Sequence, residues 1–465
     1  MERPSPATLD RLALNLDARL GDERVVRDRD VLEAYCTDWS GSPPAWPDLL
    51  VRARSSEEVS QVLSAAHEAR VPVIPRGLGS GKSGGALATQ GGLILSLEQH
   101  VGVEEVHVGD MVCVARAGTT LQGVYDAVEA EGLFYGPDPS SAHLCTIGGN
   151  VACNAGGPRA LKYGVTKQHV LGMDIVAPAT GAMQLGGRGI KQSTGFDMTG
   201  LMVGSEGLLG VITRVTLRLL PEPRGRRTLL AGFADVERAS EAVTQLFRAG
   251  AWPRACELLD ETATRAAMAA HPDWQPGGKA ALIVEADGLT QEAADQALDR
   301  LAEVLDHRAL HLAVADTRPQ RDRMWAPRYM LSETLRATAP RKVSEDVTVP
   351  RSRIPELMRG LREVGAKVGV RVAAYGHAGD GNLHVNVLFE PDQTEASRTA
   401  LFEVGRLAVG LGGTLSGEHG IGALKRDLLP LEQSPELIEL QRRIKAQFDP
   451  RGILNPGKVL PERSS

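Results

Sequence analysis

Cysteine is scarce in this chain, and so are the patterns in which it carries chemistry. The five cysteines among 465 residues are scattered, with no CxxC pair and no iron–sulfur spacing. An iron–sulfur cluster needs several grouped thiolates, so we expect the chain to hold no cluster of its own. Scattered, unpaired cysteines are typical of a reducing compartment, and we expect a cytoplasmic protein.

Long apolar runs and an excess of basic residues are also missing. No apolar stretch approaches the roughly 20 residues that span a bilayer, and residues 1–30 are charged, without the apolar core of a signal peptide. Any link to the inner membrane is therefore expected to be peripheral, through a partner. The net charge is −6 with both signs interspersed, which argues against a nucleic-acid partner because that would need a basic face.

The chain is long enough for two or three domains, and its hydrophobic content of 42% is that of a globular protein. A polar, partly helical lead-in over residues 1–45 precedes a β-α-β pattern over 46–223. After a proline-rich linker at 221–223, alanine-rich helices alternate with short strands over 224–410. Residues 411–465 form a C-terminal segment with a last helix at 431–447. These patterns predict an α+β fold.

The start of the β-α-β region shows its elements clearly. Leu49–Val51 is a predicted strand, and Ser55 or Ser56 can cap the helix that follows. Apolar residues at helical spacing predict the buried face of this helix: Val59, Val62, Leu63 and Ala66.

Three glycine-rich segments lie in this region, at residues 76–85, 146–157 and 204–210. The first contains GxGxxG and resembles the end of a P-loop. However, Arg76 stands where a Walker glycine is needed, and no helix follows as a Rossmann turn requires. Glycines after a strand let backbone N–H groups approach a pyrophosphate closely, whereas a mobile turn without a ligand is the alternative. Three such loops favour a long ligand that contains a pyrophosphate.

Histidine is uncommon, yet three of the eleven histidines lie in two short segments. Residues 375–386 read Tyr-Gly-His-Ala-Gly-Asp-Gly-Asn-Leu-His-Val-Asn, and residues 416–420 read Ser-Gly-Glu-His-Gly. The turn formers at 379–382 predict a hairpin that brings His377 and His384 onto neighbouring strands. Asn386 shares a face with His384 because the two are two residues apart.

Two imidazoles and a carboxylate suit a divalent metal with an open coordination position. His377, His384 and Glu418 are therefore candidate ligands. His419 is then a spare group that titrates near neutral pH, which suits a general base. The alternative is that these histidines are hydrogen-bonded turn residues of a packed core.

The chain resembles the FAD-linked oxidases, whose flavin domain is shared with vanillyl-alcohol oxidase and p-cresol methylhydroxylase. Within that family it is most similar to the flavoprotein subunit of glycolate oxidase and to D-lactate and D-2-hydroxyglutarate dehydrogenases. The resemblance covers roughly Trp46–Leu460 and rests on Val73–Gly81, Ile147–Asn150, Asn154–Gly157 and Gly204–Thr213. It implies a two-subdomain FAD-binding domain at 46–223 and a substrate or cap domain with a ferredoxin-like sheet at 224–410. The helical segment 411–465 would return to close the flavin site.

The resemblance also implies the residues of the FAD site. The first loop has no histidine for a covalent flavin link. Cys145 and Cys153 flank the second loop, which leaves a thioether open, but non-covalent FAD is expected. The implied cofactor-binding residues are Arg76, Gly77, Leu78, Gly79, Ser80, Gly81, Pro137, Asp138, Ser141, Thr146, Gly148, Gly149, Asn150, Asn154, Gly157, Glu206, Gly210, Ile212 and Asn455.

On the substrate side, the resemblance implies a zinc-like metal on His377, His384 and Glu418, with His419 as the base. Arg328 falls where the family has a substrate-binding arginine, and its planar fork suits a carboxylate. A surface ion pair is the alternative reading of Arg328. The lysine found in hydroxyglutarate dehydrogenases falls on Ser344 here, which favours a monocarboxylate such as glycolate or lactate.

The predicted activity is the oxidation of a D-2-hydroxy acid to the 2-oxo acid. A metal would lower the pKa of the hydroxyl group, His419 would take its proton, Asn386 would orient the substrate, and a hydride would pass to flavin N5. Three alternatives stay open: a D-2-hydroxyglutarate dehydrogenase, an ether-lipid synthase of the same fold, and a non-catalytic subunit that scaffolds a complex.

The electron acceptor is not encoded in the sequence. Without an iron–sulfur motif, electrons from reduced FAD must pass to an iron–sulfur or other protein partner, to a quinone or to oxygen. A homodimer is a further expectation.

Overall fold

The computed structural model describes residues 3–21 and 24–463. Its internal contacts divide the chain into two compact units. The first comprises Met1–Ala155, Val165–Pro221 and Glu418–Ser465, and the second comprises Gly156–Gly164 and Glu222–Gly417. Both units combine helices with sheets, so the predicted α+β class is confirmed.

The helices vary from single turns to five turns. In chain order they are α1 (Pro6–Leu20), α2 (Arg29–Glu33), α3 (Ser56–Ala69), α4 (Leu121–Glu129), α5 (Ile147–Cys153), α6 (Ala160–Tyr163), α7 (Thr166–His169), α8 (Met198–Met202), α9 (Val236–Arg248), α10 (Glu261–Ala270), α11 (Gln291–Asp306), α12 (Arg318–Arg336), α13 (Ile354–Val368), α14 (Thr394–Gly410) and α15 (Pro435–Phe448).

The strands range from two to nine residues. In chain order they are β1 (Val25–Val26), β2 (Leu49–Arg52), β3 (Val73–Arg76), β4 (Leu93–Ser96), β5 (Val103–His107), β6 (Val112–Arg116), β7 (Leu133–Phe134), β8 (Val170–Ala177), β9 (Gly181–Gly186), β10 (Val211–Arg218), β11 (Leu220–Pro221), β12 (Gly225–Phe233), β13 (Ala255–Leu259), β14 (Ala280–Gly288), β15 (His311–Ala315), β16 (Arg341–Thr348), β17 (Arg371–His377) and β18 (Asn382–Phe389).

The first unit is built on two main sheets. One has the order β1-β2-β4-β3, in which β2, β4 and β3 run parallel. The other is antiparallel, with the order β5-β6-β10-β8-β9. A single large apolar cluster joins helices α1 and α3 to the strands of both sheets. A small β11-β7 pair completes the unit.

Helix α3 shows why the sequence pattern succeeded here. The Ser55 side chain accepts a hydrogen bond from the backbone N–H of Glu58, which satisfies one of the free donors at the helix start. Residue Arg70 ends the helix in the left-handed conformation. The predicted apolar face of this helix is buried at every position, so strand β2, the cap and the helix are confirmed.

The second glycine-rich segment differs from expectation. We expected an irregular loop over 146–157, but residues 147–153 form helix α5, capped by the Thr146 side chain. The glycines serve close packing instead of a loop, because a Cβ at Gly148 would lie 2.6 Å from that of Ala117. The Gly148 N–H also donates to the Ala117 carbonyl. Glycine content therefore predicted the wrong local structure.

The second unit is organised around one seven-stranded antiparallel sheet with the order β15-β12-β14-β13-β17-β18-β16. Helices α9, α11, α13 and α14 pack on one face over a continuous apolar core. Helices α10 and α12 pack on the other face over a smaller apolar cluster that contains Trp325 and Tyr375. This second face also carries the polar groups of the candidate site.

The C-terminal segment returns to the first unit. Leu454 bridges to Val73 next to strand β3, and the Asn455 N–H donates to the Val73 carbonyl. The last helix, predicted over 431–447, is α15; it begins at Pro435 because Ser434 caps it. In the described parts of the chain, every helix is too short or too polar to cross a bilayer.

Candidate active site

Strands β17 and β18 form the predicted hairpin around residues 378–381. His377 lies opposite Asn382, and Tyr375 lies opposite His384. Cross-strand partners point to the same side of a sheet, so all four side chains share one face. The ring centroids of His377 and His384 are 5.2 Å apart, and both rings are buried. The prediction that a turn brings these histidines together is confirmed.

Strand β13 adds a buried carboxylate to this face. Glu257 lies opposite His377 in the register of β13 and β17. Its Oε1 is 2.6 Å from His377 Nδ1, and its Oε2 accepts a 2.6 Å hydrogen bond from Arg328 Nε. Burial by itself would raise the pKa of Glu257, but the adjacent His377 and Arg328 outweigh it and lower the pKa to about 2. The carboxylate is therefore charged.

Arg328, the predicted substrate-binding arginine, lies on helix α12 over the same face of the sheet. Its guanidinium carbon is 4.7 Å from the centre of the Tyr375 ring, a distance at which a cation interacts favourably with an aromatic face. The side chain is buried. The alternative of a surface ion pair is wrong, because the partner Glu257 is fully buried.

Asn386 is fully buried on strand β18. Its amide nitrogen donates to the backbone carbonyls of His384 and Ala373. Among the residues that the structure describes, its Oδ1 has no hydrogen-bond partner. A buried acceptor without a partner is costly, by about 1–3 kcal/mol, unless a ligand satisfies it. Asn386 therefore offers an oriented acceptor on the same face as His384.

Strand β16 fixes the backbone that leads to Glu418. Asp346, opposite His384 in the register, accepts hydrogen bonds from the Ser416 hydroxyl at 3.0 Å and the Gly417 N–H at 2.9 Å. A side chain at Gly417 would overlap Asn382. The next residue along the chain is Glu418. Ligand atoms of His377, His384 and Glu418 all lie within 4.8 Å of one another.

This set fits a divalent metal. Two imidazoles and one carboxylate leave at least one coordination position for a water or substrate. The contact with the Glu257 carboxylate assigns the proton of His377 to Nδ1, so Nε2 would be the metal-binding atom, as is common for histidine ligands whose other nitrogen donates to a carboxylate. His377, His384 and Glu418 are thus the residues that could hold the ion.

In the first unit, the loop after strand β3 is shaped by its glycines. A side chain at Gly77 would overlap the Thr146 hydroxyl, and Gly79 adopts a positive φ of 73° that L-residues rarely adopt. An added Cβ at Gly81 would meet nothing within 4 Å. The loop is therefore closely packed at Gly77, beside the cap of helix α5, and at Gly79, whereas it has space around Gly81.

Arg76 holds this loop in place with its side chain. The guanidinium donates to the carbonyls of Tyr35, Thr37 and Ala86. Burial lowers the pKa of Arg76. The three carbonyls supply the buried guanidinium with hydrogen-bond acceptors in place of water. Because the guanidinium is committed to the protein backbone, contacts to a pyrophosphate would fall to the N–H groups of residues 77–81 and to the small side chains there.

Near the other glycine segments, two buried polar atoms have no hydrogen-bond partner within residues 3–21 and 24–463. They are the Asn150 amide nitrogen on helix α5 and the Ser205 hydroxyl. Asn154 ends helix α5 at a φ of 53°, and its side-chain oxygen accepts from the Lys167 N–H. Unpartnered buried donors beside open glycine loops fit a large polar ligand such as FAD.

The third glycine segment is tied to the C-terminal segment by Glu206. Its carboxylate accepts the N–H groups of Ile421 at 2.8 Å and Gly422 at 2.9 Å, and burial raises the pKa of Glu206. The Asn455 amide donates to the carbonyls of Glu206 and Gly85. These contacts fix the backbone immediately after His419, the predicted base.

The remaining predicted cofactor residues are dispersed. Leu78 and Ser80 lie in the first loop and Gly149 lies on helix α5. Ile212 lies on strand β10, and Gly210 directly precedes that strand. Pro137, Asp138 and Ser141 lie in the segment before helix α5, where the Pro137 carbonyl accepts from the Tyr125 hydroxyl. Gly157 belongs to the second unit.

Sequence reasoning missed Glu257 and Lys458. The signal for Glu257 was present, because a single carboxylate interrupts the apolar strand Ala255-Cys256-Glu257-Leu258-Leu259. Lys458 donates to the carbonyls of Gly85 and Leu87 and to the side chain of Asn455. Burial lowers the pKa of Lys458 to about 7. The sequence carries no signal that distinguishes this lysine from a surface one.

Comparison with known proteins covers most of the chain. Residues 47–185 match the family described as FAD binding domain, and residues 222–459 match the family described as FAD linked oxidases, C-terminal domain. Among curated relatives, the glycolate oxidase subunit GlcD of Bacillus subtilis is 34% identical over 91% of each chain. The D-lactate dehydrogenase of Archaeoglobus fulgidus is 39% identical over 89% of this chain and 91% of its own.

Solved structures share the fold at lower identity. A p-cresol methylhydroxylase structure aligns with a TM-score of 0.83 and 17% identity over 98% of both chains. An alkyldihydroxyacetonephosphate synthase aligns with a TM-score of 0.75 and 18% identity over 98% of this chain and 86% of its own. These matches identify the shared flavin-enzyme fold. Together with the sequence relatives, they show that the chain belongs to the FAD-linked oxidases and is an FAD-dependent oxidoreductase.

Proposed function

We propose that this FAD-linked oxidase oxidises a small D-2-hydroxy acid, of the size of glycolate or D-lactate, to the 2-oxo acid. The names of its relatives support a hydroxy-acid substrate. The observation that carries the proposal lies on one face of the seven-stranded sheet of the second unit. There, two histidines suited to a metal lie beside an arginine suited to a carboxylate.

The metal would be held by His377, His384 and Glu418, and zinc is the ion that two imidazoles and a carboxylate favour. When bound, it supplies Lewis acidity that lowers the pKa of a coordinated hydroxyl group. The protein prepares this site from rigid backbone. His377 and His384 lie on paired strands, and Asp346 holds the residue before Glu418.

Arg328 would bind the carboxylate of the substrate. A guanidinium and a carboxylate are both planar and carry opposite charges, so they can form two parallel hydrogen bonds. Glu257 and Tyr375 restrict the rotation of the Arg328 guanidinium. Asn386 would accept a hydrogen bond from the substrate through its unpartnered oxygen. Arginine and asparagine would together fix which face of the α-carbon is presented for oxidation.

His419 would accept the hydroxyl proton as the α-hydrogen leaves with its electron pair. When bound, FAD supplies the acceptor for that hydride. The products are the 2-oxo acid, reduced flavin and a protonated base, so two electrons and two hydrogens leave the substrate. The contacts of Glu206 with residues 421 and 422 restrain the backbone beside this histidine.

Strand β16 supports the proposal of a small substrate. Ser344 lies opposite Asn386 in the register and offers no positive charge. Lys342, the nearest lysine on this strand, donates to the carbonyl and hydroxyl of Ser332. A second carboxylate therefore lacks a dedicated cation at this position, which favours glycolate or D-lactate over D-2-hydroxyglutarate.

Two features bear on the flavin and its electrons. Cys145 is buried, and burial raises the pKa of the Cys153 thiol to about 12. Protonated thiols are poor nucleophiles, which favours non-covalent FAD. All five cysteines are free and none is grouped for a cluster. We therefore infer that electrons leave to an external acceptor, a partner protein or a quinone.

The test is anaerobic mixing of the purified protein with a panel of D- and L-2-hydroxy acids, followed at the flavin absorbance near 450 nm. We expect D-lactate or glycolate to bleach the flavin, L-lactate to react far more slowly, and D-2-hydroxyglutarate to bind weakly. Absence of bleaching with every acid, in protein that carries both FAD and metal, would contradict the proposal.

A further inference from the structure

We propose that Glu257 is a positioning residue shared by the metal site and the substrate-carboxylate site, so that the metal ligand His377 and the arginine Arg328 are held by one carboxylate. The inference rests on the function proposed above and deepens it. In the sequence, Glu257 is visible only as a single carboxylate that interrupts an apolar strand.

The geometry shows one carboxylate that holds two groups. We call its contact with His377 and its contact with Arg328 the two branches. Glu257 is on a central strand of the sheet, and its side chain is fully buried. One oxygen is 2.6 Å from His377 Nδ1 and the other is 2.6 Å from Arg328 Nε. Displacement of this carboxylate would therefore move both groups together, although His377 lies on β17 and Arg328 lies on α12.

The chemistry requires a carboxylate here. His377 binds a metal through Nε2 only if Nδ1 carries the proton, so Nδ1 must donate. The Arg328 Nε–H is always a donor. Two donors need two acceptor atoms, which an ionised carboxylate has and an amide lacks. A glutamine at 257 would satisfy one branch and place its N–H₂ against the donor of the other.

A nearby acid provides the contrast. Asp260 lies at the end of the same strand, and it is also buried. Its two oxygens accept from the backbone N–H groups of Ala263 and Ala374, so it caps helix α10 and ties it to strand β17. Asp260 is a structural acid, whereas both oxygens of Glu257 point to side chains of the site.

The test compares Glu257→Gln with two controls. Asp260→Asn changes a buried acid near the same strand without touching His377 or Arg328. Arg328→Lys removes one branch only. Zinc affinity is measured on metal-free protein with a competing chelator, which does not depend on turnover. KM and kcat for the hydroxy acid are measured separately on the metal-loaded variants.

Glu257→Gln should lower zinc affinity by about 10- to 100-fold, the usual effect of losing such an outer partner, and should also raise KM at least tenfold. Arg328→Lys should raise KM and leave zinc affinity within threefold of the native protein. Asp260→Asn should lower the melting temperature and leave both binding parameters within threefold.

Two results would overturn the inference. One is a Glu257→Gln protein with native zinc affinity and native KM, and the other is loss of only one of the two. Failure of the proposed function appears differently, as a native protein whose flavin no hydroxy acid bleaches. Zinc affinity would still show whether Glu257 supports His377 in that case.

Discussion

The candidate site of the first unit consists mainly of backbone groups, whereas that of the second unit consists of side chains. In the first unit, the glycine segments offer backbone groups, and ionisable side chains such as Arg76, Glu206 and Lys458 hold the loops in shape. In the second unit, paired strands are the rigid part. Side chains such as His377, Glu257 and Arg328 form the chemistry themselves.

This difference predicts different sensitivities. A cradle of backbone N–H groups should tolerate changes of side-chain chemistry but fail when a Cβ is added at a crowded glycine. A site of side chains on strands should tolerate little change of chemistry, while its backbone stays folded. The two kinds of substitution should also be distinguishable by measurement. An added Cβ at a crowded glycine should lower FAD content, whereas a changed side chain on the strands should lower turnover.

The largest effect is expected at the metal ligands. His377→Ala should lower the rate of flavin bleaching by at least about 10³-fold, because a metal supplies several kcal/mol of charge stabilisation. FAD content should stay native, since His377 lies in the second unit. His271→Ala is the matched control, a histidine of the same unit outside the site. Native bleaching by His377→Ala would show that the metal role is wrong.

Arg328→Lys should raise KM by about 10- to 100-fold and change kcat less. The lysine keeps the charge but loses the planar fork, and a charge-assisted hydrogen bond contributes about 1.5–3 kcal/mol. Steady-state kinetics with D-lactate would measure the change. An unchanged KM would remove Arg328 from the carboxylate site and weaken the contrast between the two units.

Gly77→Ala tests the backbone cradle. The added Cβ would overlap Thr146, and such overpacking costs about 1–3 kcal/mol. We expect roughly tenfold weaker FAD binding, measured by titrating the apoprotein, with native zinc affinity. Gly187→Ala is the control, because a Cβ there meets nothing within 4 Å. Equal FAD affinity in both variants would argue against close packing of this loop.

The smallest effect concerns Lys458. Its pKa is about 7 in the folded protein and near 10.4 in an unfolded chain, as for any free lysine. Between these pH values only the unfolded state binds the proton, so stability should rise as pH increases from 7 towards 10. Lys458→Met should flatten this rise, measured as the change in Tm between pH 7 and pH 9. Parallel pH profiles for both proteins would contradict the assignment.

Local patterns predicted the fold well where one interaction decided it. The cap at Ser55 and the apolar spacing after it predicted α3, and the turn at 379–382 predicted the hairpin of His377 and His384. In both cases the deciding residues lie close together in sequence, so a short segment contains the information.

Patterns failed where distant packing decided the outcome. The glycine-rich segment around Gly148 was predicted to be a loop, but Gly148 allows helix α5 to approach Ala117 closely. Glu257 gained its role from partners 71 and 120 residues away. Arg328 was singled out by its likeness to a family arginine and stays a predicted substrate-binding residue. Its orientation depends on Glu257, a carboxylate that no local pattern pairs with it.

Removal of the metal shows whether the oxidation of a hydroxy acid by this protein needs a metal. The protein would be treated with a chelator until metal is absent but FAD remains, then mixed anaerobically with D-lactate before and after zinc is restored. We expect flavin bleaching to be lost with the metal and to return when one zinc per chain is rebound. Bleaching at the native rate in metal-free protein would contradict a metal-assisted oxidation of hydroxy acids.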